Sequence, residues 1–262
     1  MTPEELSAAG LRYDVIGPVA TITLDRPEVR NAQTPTMWRA LARLGEEVPD
    51  DTRAVVVRGE GPSFSAGLDR AMLAPGGGDG QETVAGLLAL DDDDMAATID
   101  AYQQGFTFLR DPRFVSVAAV QGHAVGAGFQ LALACDLRVV AHDASFTMKE
   151  SALGLVPDLT GTKPLVECVG YARALEICVT ARTVGAEEAV AIGLATTAVP
   201  AAELDATVAD LVAALTAPVA GVVRETKALL QSAGEGGLEE QRRREREAQV
   251  RRLRELAGLL GG

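Results

Sequence analysis

The chain is poor in the residues that build covalent or metal-held structure. Its 262 residues include three cysteines, Cys135, Cys168 and Cys178, and two histidines, His123 and His142. No two cysteines form a C-x-x-C pair. Their odd number, each in an apolar helical pattern, argues against a disulfide framework or a zinc site; buried free thiols are expected. The histidines lie apart with no acidic partner at helical spacing, so no metal site is expected. Aromatics are scarce too: one tryptophan, three tyrosines and six phenylalanines. Alanine, valine and leucine must do the packing, which suits helices laid against a sheet. Positive charge is in deficit, 24 Lys and Arg against 37 Asp and Glu, for a net charge of −13. That balance excludes the basic stripe of a nucleic-acid binder and argues against docking on anionic lipid. It leaves room for a small anionic ligand, for which a few arginines suffice. The N-terminal MTPEELSAAGLRYDV lacks a basic segment followed by an apolar run, and no stretch is long enough to span a bilayer. A cytoplasmic location, without membrane or nucleic-acid partners, is expected.

What is present is apolar and regularly punctuated. Nearly half of the residues, 47%, are hydrophobic, enough for a sizeable core. LRYDVIGPVATITLDRP reads as a hairpin turning at Gly17-Pro18. Thr34 caps a helix that begins with Pro35, with Met37, Leu41 and Leu44 on its inner face. RAVVVRGEG and FVSVAAVQG are buried strands, and LRVVA is a third. FSAGLDRAML is a turn into a helix, which Asp69 caps. APGGGDGQETVAGLLALDDDD reads as a mobile insertion, with Asp91 to Asp94 a solvated face or helix start. TKPLVECVGYARALEICVTA is two helices broken at Gly170. TVGAEEAVAIGLATTAVP is a helix stopped at Gly193, then a short strand. The chain from about Ala201 is helical. Strands alternating with helices predict an α/β fold with a largely parallel sheet. The organisation expected is a core over residues 1–200 and a helical region over 201–262.

Two stretches share one design, AVVVRGEGPSFSAGLDRAM and VSVAAVQGHAVGAGFQLAL. In each a buried strand runs into a glycine turn and then a helix. The first N–H groups of such a helix have no internal partner, and the helix dipole adds positive potential. Gly128 would keep the approach to them open. A dinucleotide fingerprint does not fit: Gly122, Gly126 and Gly128 give G-x-x-x-G-x-G, in the wrong order and mid-chain, and no Walker lysine follows. Close packing of helix on strand is the competing explanation.

DRPEVRNA, FSAGLD, AAVQGHAVGAGFQLALACDLRVVA, ASFTMKESALGLVPDLTGT and GYARALEICVTARTVGAEEAVAIGLATTAVP occur in the order and spacing of one family. Over roughly residues 12 to 230 the chain resembles the enoyl-CoA hydratase/isomerase (crotonase) superfamily. The resemblance implies a crotonase-like spiral of ββα units with a C-terminal helical trimerisation region. It implies an acyl-CoA substrate, with coenzyme A as part of the substrate and no separate cofactor. It implies that the backbone N–H groups of Leu68 and Ala127 grip the thioester oxygen as an oxyanion hole. Such donors act on charge that grows only in the transition state. Arg26 and Arg30 match the basic positions that meet the coenzyme A phosphates, and Ala66 the carbonyl that meets the adenine amine. Homotrimers or homohexamers are implied, with LEEQRRREREAQVRRLRELAGLL as an amphipathic partner helix. A phosphate contact from the family's closing lysine is not expected.

The family's hydratases flank a water with two glutamates. Here one position is Glu150 and the other Gln130, an amide that is no acid or base but can hold a water or a carbonyl. One carboxylate suits a proton shuttle, and hence double-bond isomerisation, while hydration stays open. Asp158 stands where dienoyl-CoA isomerases carry an aspartate, and is either a second acid or a helix N-cap. A dehalogenase reading would need a histidine base, for which His123, expected to be buried and hydrogen-bonded, is no candidate. Decarboxylation, retro-aldol cleavage and acyl-CoA binding without turnover remain open. Asp136 should end a helix and pair with an arginine, and Lys149 should be surface. The insertion from about Leu73 to Asp100 is expected to set the acyl group.

Overall fold

The computed structural model describes residues 1–73 and 82–260. Residues 74–81, the glycine-rich part of the insertion, lie outside them. The elements in chain order are α1 (Pro3–Ala8), β1 (Leu11–Ile16), β2 (Val19–Leu24), α2 (Pro35–Glu47), β3 (Ala54–Gly59), α3 (Val84–Leu87), α4 (Asp92–Thr107), β4 (Val115–Val120), β5 (His123–Val125), α5 (Ala127–Ala134), β6 (Leu137–Ala141), β7 (Ser145–Thr147), α6 (Thr162–Val169), α7 (Tyr171–Thr180), β8 (Thr183–Gly185), α8 (Ala186–Ala191), β9 (Thr197–Val199), α9 (Leu204–Thr216), α10 (Ala220–Ser232) and α11 (Leu238–Leu260).

The predicted hairpin is the edge of a six-stranded sheet ordered β1-β2-β3-β4-β6-β9. Within this sheet β1 and β2 pair antiparallel, and every other described neighbour is parallel. The strand residues alternate between two cores, as a period of two requires. Val55, Val57, Ala118, Val120 and Val140 face the larger core with α2 and α5. Ala54, Val56, Val117, Ala119 and Val139 face the smaller one, where Leu204, Val208 and Val212 of α9 cover them. Both faces are therefore buried, which is why these strands read as unbroken apolar runs. Thr34 caps α2 by accepting from Met37 N at 3.2 Å, and Asp91 caps α4 by accepting from Asp94 N at 2.8 Å.

A second sheet, β5-β7-β8, has three-residue strands. It packs Phe146 on Phe129 of α5, with ring centroids 5.1 Å apart. The stretch after Leu68 is a short 3₁₀ turn, Arg70–Leu73, rather than an α-helix. Cys135 is buried, whereas Cys168 and Cys178 are half-buried. No single helix among the described residues is long and apolar enough to cross a membrane.

Lys227 on α10 is buried. Its ammonium donates to Asp111 O (2.7 Å), Phe114 O (2.8 Å) and Asp136 Oδ2 (2.7 Å). The expected arginine partner of Asp136 is thus a lysine contributed from far along the chain. Arg138, the arginine nearby in sequence, turns its guanidinium to the carbonyls of Ala132 and Cys135 instead.

Candidate active site

The two glycine turns meet. Ser65 N donates to His123 O (2.8 Å), Val125 N to Ser65 O (3.0 Å) and Phe64 N to Gln121 O (2.8 Å). Gly67 and Gly126 both have left-handed backbone, with φ +84° and +51°. That conformation favours glycine at each position. A Cβ on Gly67 would overlap Val125 O and lie 3.5 Å from Ala127 N. A Cβ on Gly128 would lie 2.7 Å from Ser65 O, and one on Gly122 would overlap Pro62 O. These two glycines serve backbone packing between the turns. Gly128 therefore does not keep a ligand path open, as the sequence had suggested.

Buried polar side chains brace the first turn. Asn31, Gln33 and Ser65 are all fully buried. Asn31 Nδ2 donates to Ser63 O (2.8 Å), Ser65 Oγ to Asn31 O (2.7 Å), and Gln33 Nε2 to Ser65 Oγ (3.1 Å). Trp38 Nε1 in turn donates to Gln33 Oε1 (2.8 Å). Gln33 also pairs through its backbone with both neighbours of Leu68: its N–H donates to Gly67 O (2.7 Å), and its carbonyl accepts from Asp69 N (2.8 Å). In an extended segment, successive amides point to opposite sides, so the Leu68 N–H faces away from Gln33. Ala127 is the first residue of α5, where a helical N–H lacks an internal acceptor. Neither amide has an acceptor among the described residues. The sequence did not single out Asn31, Gln33 or Ser65; a polar residue in a loop motif carries no periodicity to mark it as buried.

Leu68 and Ala127 line a cavity of about 450 Å³, together with Ala66, Glu150 and Asp158. Its walls are mainly apolar, with Trp38, Met72, Met95, Ile99, Tyr102 and Leu159 among them. Part of that wall comes from α3 and α4, within the insertion expected to set the acyl group. Glu150 opens a 3₁₀ turn, Glu150–Leu153, that follows β7. It is 8% exposed, and its carboxylate lies against Gly126: a Cβ there would be 3.3 Å from Glu150 Oε1. Glu150 Oε1 accepts from Gln130 Nε2 at 2.7 Å, while Oε2 is buried without a hydrogen-bond partner among the described residues. Burial pushes the Glu150 carboxyl above its ordinary range, opposed by the Gln130 donation and reinforced by the charge of Asp158.

Gln130 was expected to hold a water or a carbonyl. It is 1% exposed and points elsewhere: its Nε2 serves Glu150, and its Oε1 accepts from Leu159 N (2.8 Å) and Gly161 N (3.2 Å). These contacts occupy Oε1 and one of the two Nε2 hydrogens, on a helix whose residues are all buried. Asp158 is not a helix cap, since α6 begins four residues later, behind Gly161. Its carboxyl is raised by the apolar crowding of the cavity wall, and its carbonyl accepts from Gln103 Nε2 at 2.6 Å.

Asp69 caps the 3₁₀ turn as expected, accepting from Ala71 N at 3.0 Å. It also accepts from Arg26 Nη1 at 2.9 Å, and the same nitrogen reaches Ala32 O at 2.7 Å. Arg26 is thus engaged internally. Arg30 is exposed, and its carbonyl accepts from Ala66 N at 2.8 Å, which sets it beside the cavity rim. Lys149 is exposed and lines the cavity. His123 is exposed rather than buried, although its ring does meet Ser145 Oγ at 3.0 Å. Among the described residues no three His, Cys, Asp or Glu side chains gather as metal ligands.

The sequence profile of the enoyl-CoA hydratase/isomerase family matches residues 16–255. A Rhodobacter capsulatus protein assigned as an enoyl-CoA hydratase is 35% identical over 190 residues, 72% of this chain and 68% of that one. The human mitochondrial Delta(3,5)-Delta(2,4)-dienoyl-CoA isomerase is 33% identical over 222 residues, 80% of this chain but only 64% of the human protein. A crystal structure of a Thermobifida fusca YX protein assigned as an enoyl-CoA hydratase, in complex with acetoacetyl-CoA, superposes with a TM-score of 0.94 at 54% identity, covering 97% of this chain and 98% of that one. The fold, the ordered motifs and these relatives agree: the chain belongs to the enoyl-CoA hydratase/isomerase (crotonase) superfamily.

Proposed function

We propose that the protein isomerises a double bond in an enoyl- or dienoyl-CoA thioester, with Glu150 as the base. The observation that carries this reading is the state of the two positions where a hydratase has its glutamates. Glu150 is a carboxylate in the cavity wall with one oxygen unpartnered, and Gln130 is an amide spent on Glu150 and the loop at 159–161. A single base without a second group to activate water favours moving a proton over adding water.

The thioester oxygen would accept from the Leu68 and Ala127 amides. Glu150 takes a proton from the carbon next to the thioester carbonyl, and the electron pair spreads into an enolate whose oxygen those amides stabilise. A proton returned further along the conjugated chain, by Glu150 or by Asp158 on the same cavity wall, completes the isomerisation with no net change in atoms. Burial raises both carboxyls above the ordinary carboxylate range, which makes each a better proton acceptor than a solvated acid. The apolar walls would receive the acyl chain, and the complex of the Thermobifida fusca relative with acetoacetyl-CoA supports a thioester ligand. Arg30 and the Ala66 carbonyl are the coenzyme A contacts favoured here.

Hydration is the second reading, favoured by the hydratase assignments of the Rhodobacter capsulatus and Thermobifida fusca relatives. Incubation with 2-enoyl-, 3-enoyl- and dienoyl-CoA, followed by mass and absorbance, separates the two. Isomerisation changes the spectrum at constant mass; hydration shifts the mass by that of one water. Binding without either change would identify a non-catalytic acyl-CoA-binding protein.

A further inference from the structure

Gln130 occupies an unusual position: a fully buried amide between the base and the loop that carries Asp158. Its orientation is fixed by its partners. Leu159 N and Gly161 N are donors only, so the group facing them must be the carbonyl Oε1. A flipped amide would set N–H against N–H in a buried space, leaving three donors without acceptors. Nε2 is therefore held toward Glu150 Oε1, 2.7 Å away. A primary amide nitrogen donates and does not accept.

From this geometry, and resting on Glu150 as the base, we infer that Gln130 is a positioning residue that locks Glu150 Oε1 as an acceptor and directs the proton Glu150 takes up onto Oε2. Oε2 is the free position, buried and without a hydrogen-bond partner among the described residues. The charged form of Glu150 gains the Gln130 hydrogen bond most, because an N–H to a carboxylate is stronger than one to a neutral acid. The other groups that face Glu150 are Asp158 on the loop, Cys178 on α7, and the backbone N–H groups of Glu150 itself and of Lys149. Asp158 opposes ionisation of Glu150, leaving Gln130 as the side-chain donor that offsets it. The same amide ties the base to the segment after Asp158 through Leu159 N, so the spacing of the two acids passes through one side chain.

Two variants separate donation to Glu150 from anchoring of the loop. Gln130→Glu keeps an acceptor for Leu159 N and Gly161 N but donates to Glu150 only while it holds a proton. Gln130→Leu removes both functions. Glu150 is followed by carboxyl carbon NMR on glutamate-labelled protein, assigned by the signal missing in Glu150→Gln, alongside the pH profile of kcat/KM. In Gln130→Leu the Glu150 titration moves up by about one pH unit, and the acid limb of kcat/KM follows it. In Gln130→Glu the two carboxyls titrate as a coupled pair, and activity falls as pH rises through loss of the shared proton, a basic limb absent in the parent. An unchanged Glu150 titration in folded Gln130→Leu overturns the positioning role; should that variant not fold, Gln130→Met, which also lacks the donor and adds no charge, is read in its place. The NMR readout needs no turnover. A shifted titration in a protein inactive on every thioester would sink the proposed reaction and leave this inference standing.

Discussion

Lys227 Nζ lies 2.7 Å from Asp136 Oδ2 and holds the carbonyls of Asp111 and Phe114 as well, so that α10 is pinned to the start of β4 and the start of β6. Asp136 also accepts from Ser116 N at 2.8 Å. Replacing Lys227 with Met strands a carboxylate and two carbonyls. The expected loss is roughly 3 kcal/mol in urea-induced unfolding. Lys227→Met/Asp136→Asn should lose less than the sum of the two single variants, because each single change already removes the pair. Burial holds the Lys227 ammonium below its ordinary range, so folding sheds protons in the window between its folded and unfolded values. Stability contributed by this group should rise with pH there.

Glu150→Gln should lower kcat by between about 10² and 10⁴, the span of a general base, with a smaller effect on binding. Equal turnover by parent and variant would remove Glu150 from the chemistry. The same change should stabilise the fold at neutral pH. The folded carboxyl titrates above its unfolded reference of 4.5, so its contribution is fully present below that pH and is lost as pH rises through the folded value. The Tm advantage of the variant should vanish near pH 4 and grow as pH rises above 4.5.

Gly67→Ala tests the meeting of the turns. Its φ of +84° disfavours any side chain, and the new Cβ would press on Val125 O. A destabilisation of about 2 kcal/mol or more is expected. With the Leu68 amide displaced, kcat should fall by roughly 10² or more while KM changes less. A fully active variant would argue against an oxyanion hole at Leu68 and Ala127.

The two arginines should differ. Arg30→Ala is expected to raise KM for a CoA thioester about tenfold, the cost of one charge-assisted contact to phosphate. Arg26→Ala should act mainly on thermal stability, because Arg26 is engaged by Asp69 and Ala32. A larger KM effect from Arg26 would show that its pair with Asp69 opens for ligand.

Apolar side chains stand exposed along the C-terminal helices: Val219, Val222 and Leu230 on or beside α10, and Leu238, Val250, Leu253 and Leu256 on α11. A face of this kind is expected to be covered by further copies of the chain. Sedimentation equilibrium should give a trimer or a hexamer. Leu230→Glu should weaken the assembly, and a parent that sediments as a monomer would refute the expectation.

The sequence by itself determined the elements whose causes are local or periodic. The hairpin came from Gly17-Pro18 between alternating runs, α2 from Thr34 and Pro35, and β3 and β4 from apolar runs too dense for a half-exposed strand. The order of motifs was enough to point to the family and to single out Glu150, which lines the cavity. Strands β5 and β8, of three residues each, are too short to carry a period and exist because the larger fold offers them partners. The tertiary structure alone decided what the polar residues do. Asp136 found Lys227, 91 residues away, because α10 folds back over the strand starts. Gln130 turned from the cavity to Glu150 because a helix buried on all sides leaves an amide no water to hold, and the nearest groups able to satisfy it were a carboxylate and two backbone N–H groups. Residue type fixes what a side chain can donate or accept; only the packed surroundings decide which partner it meets.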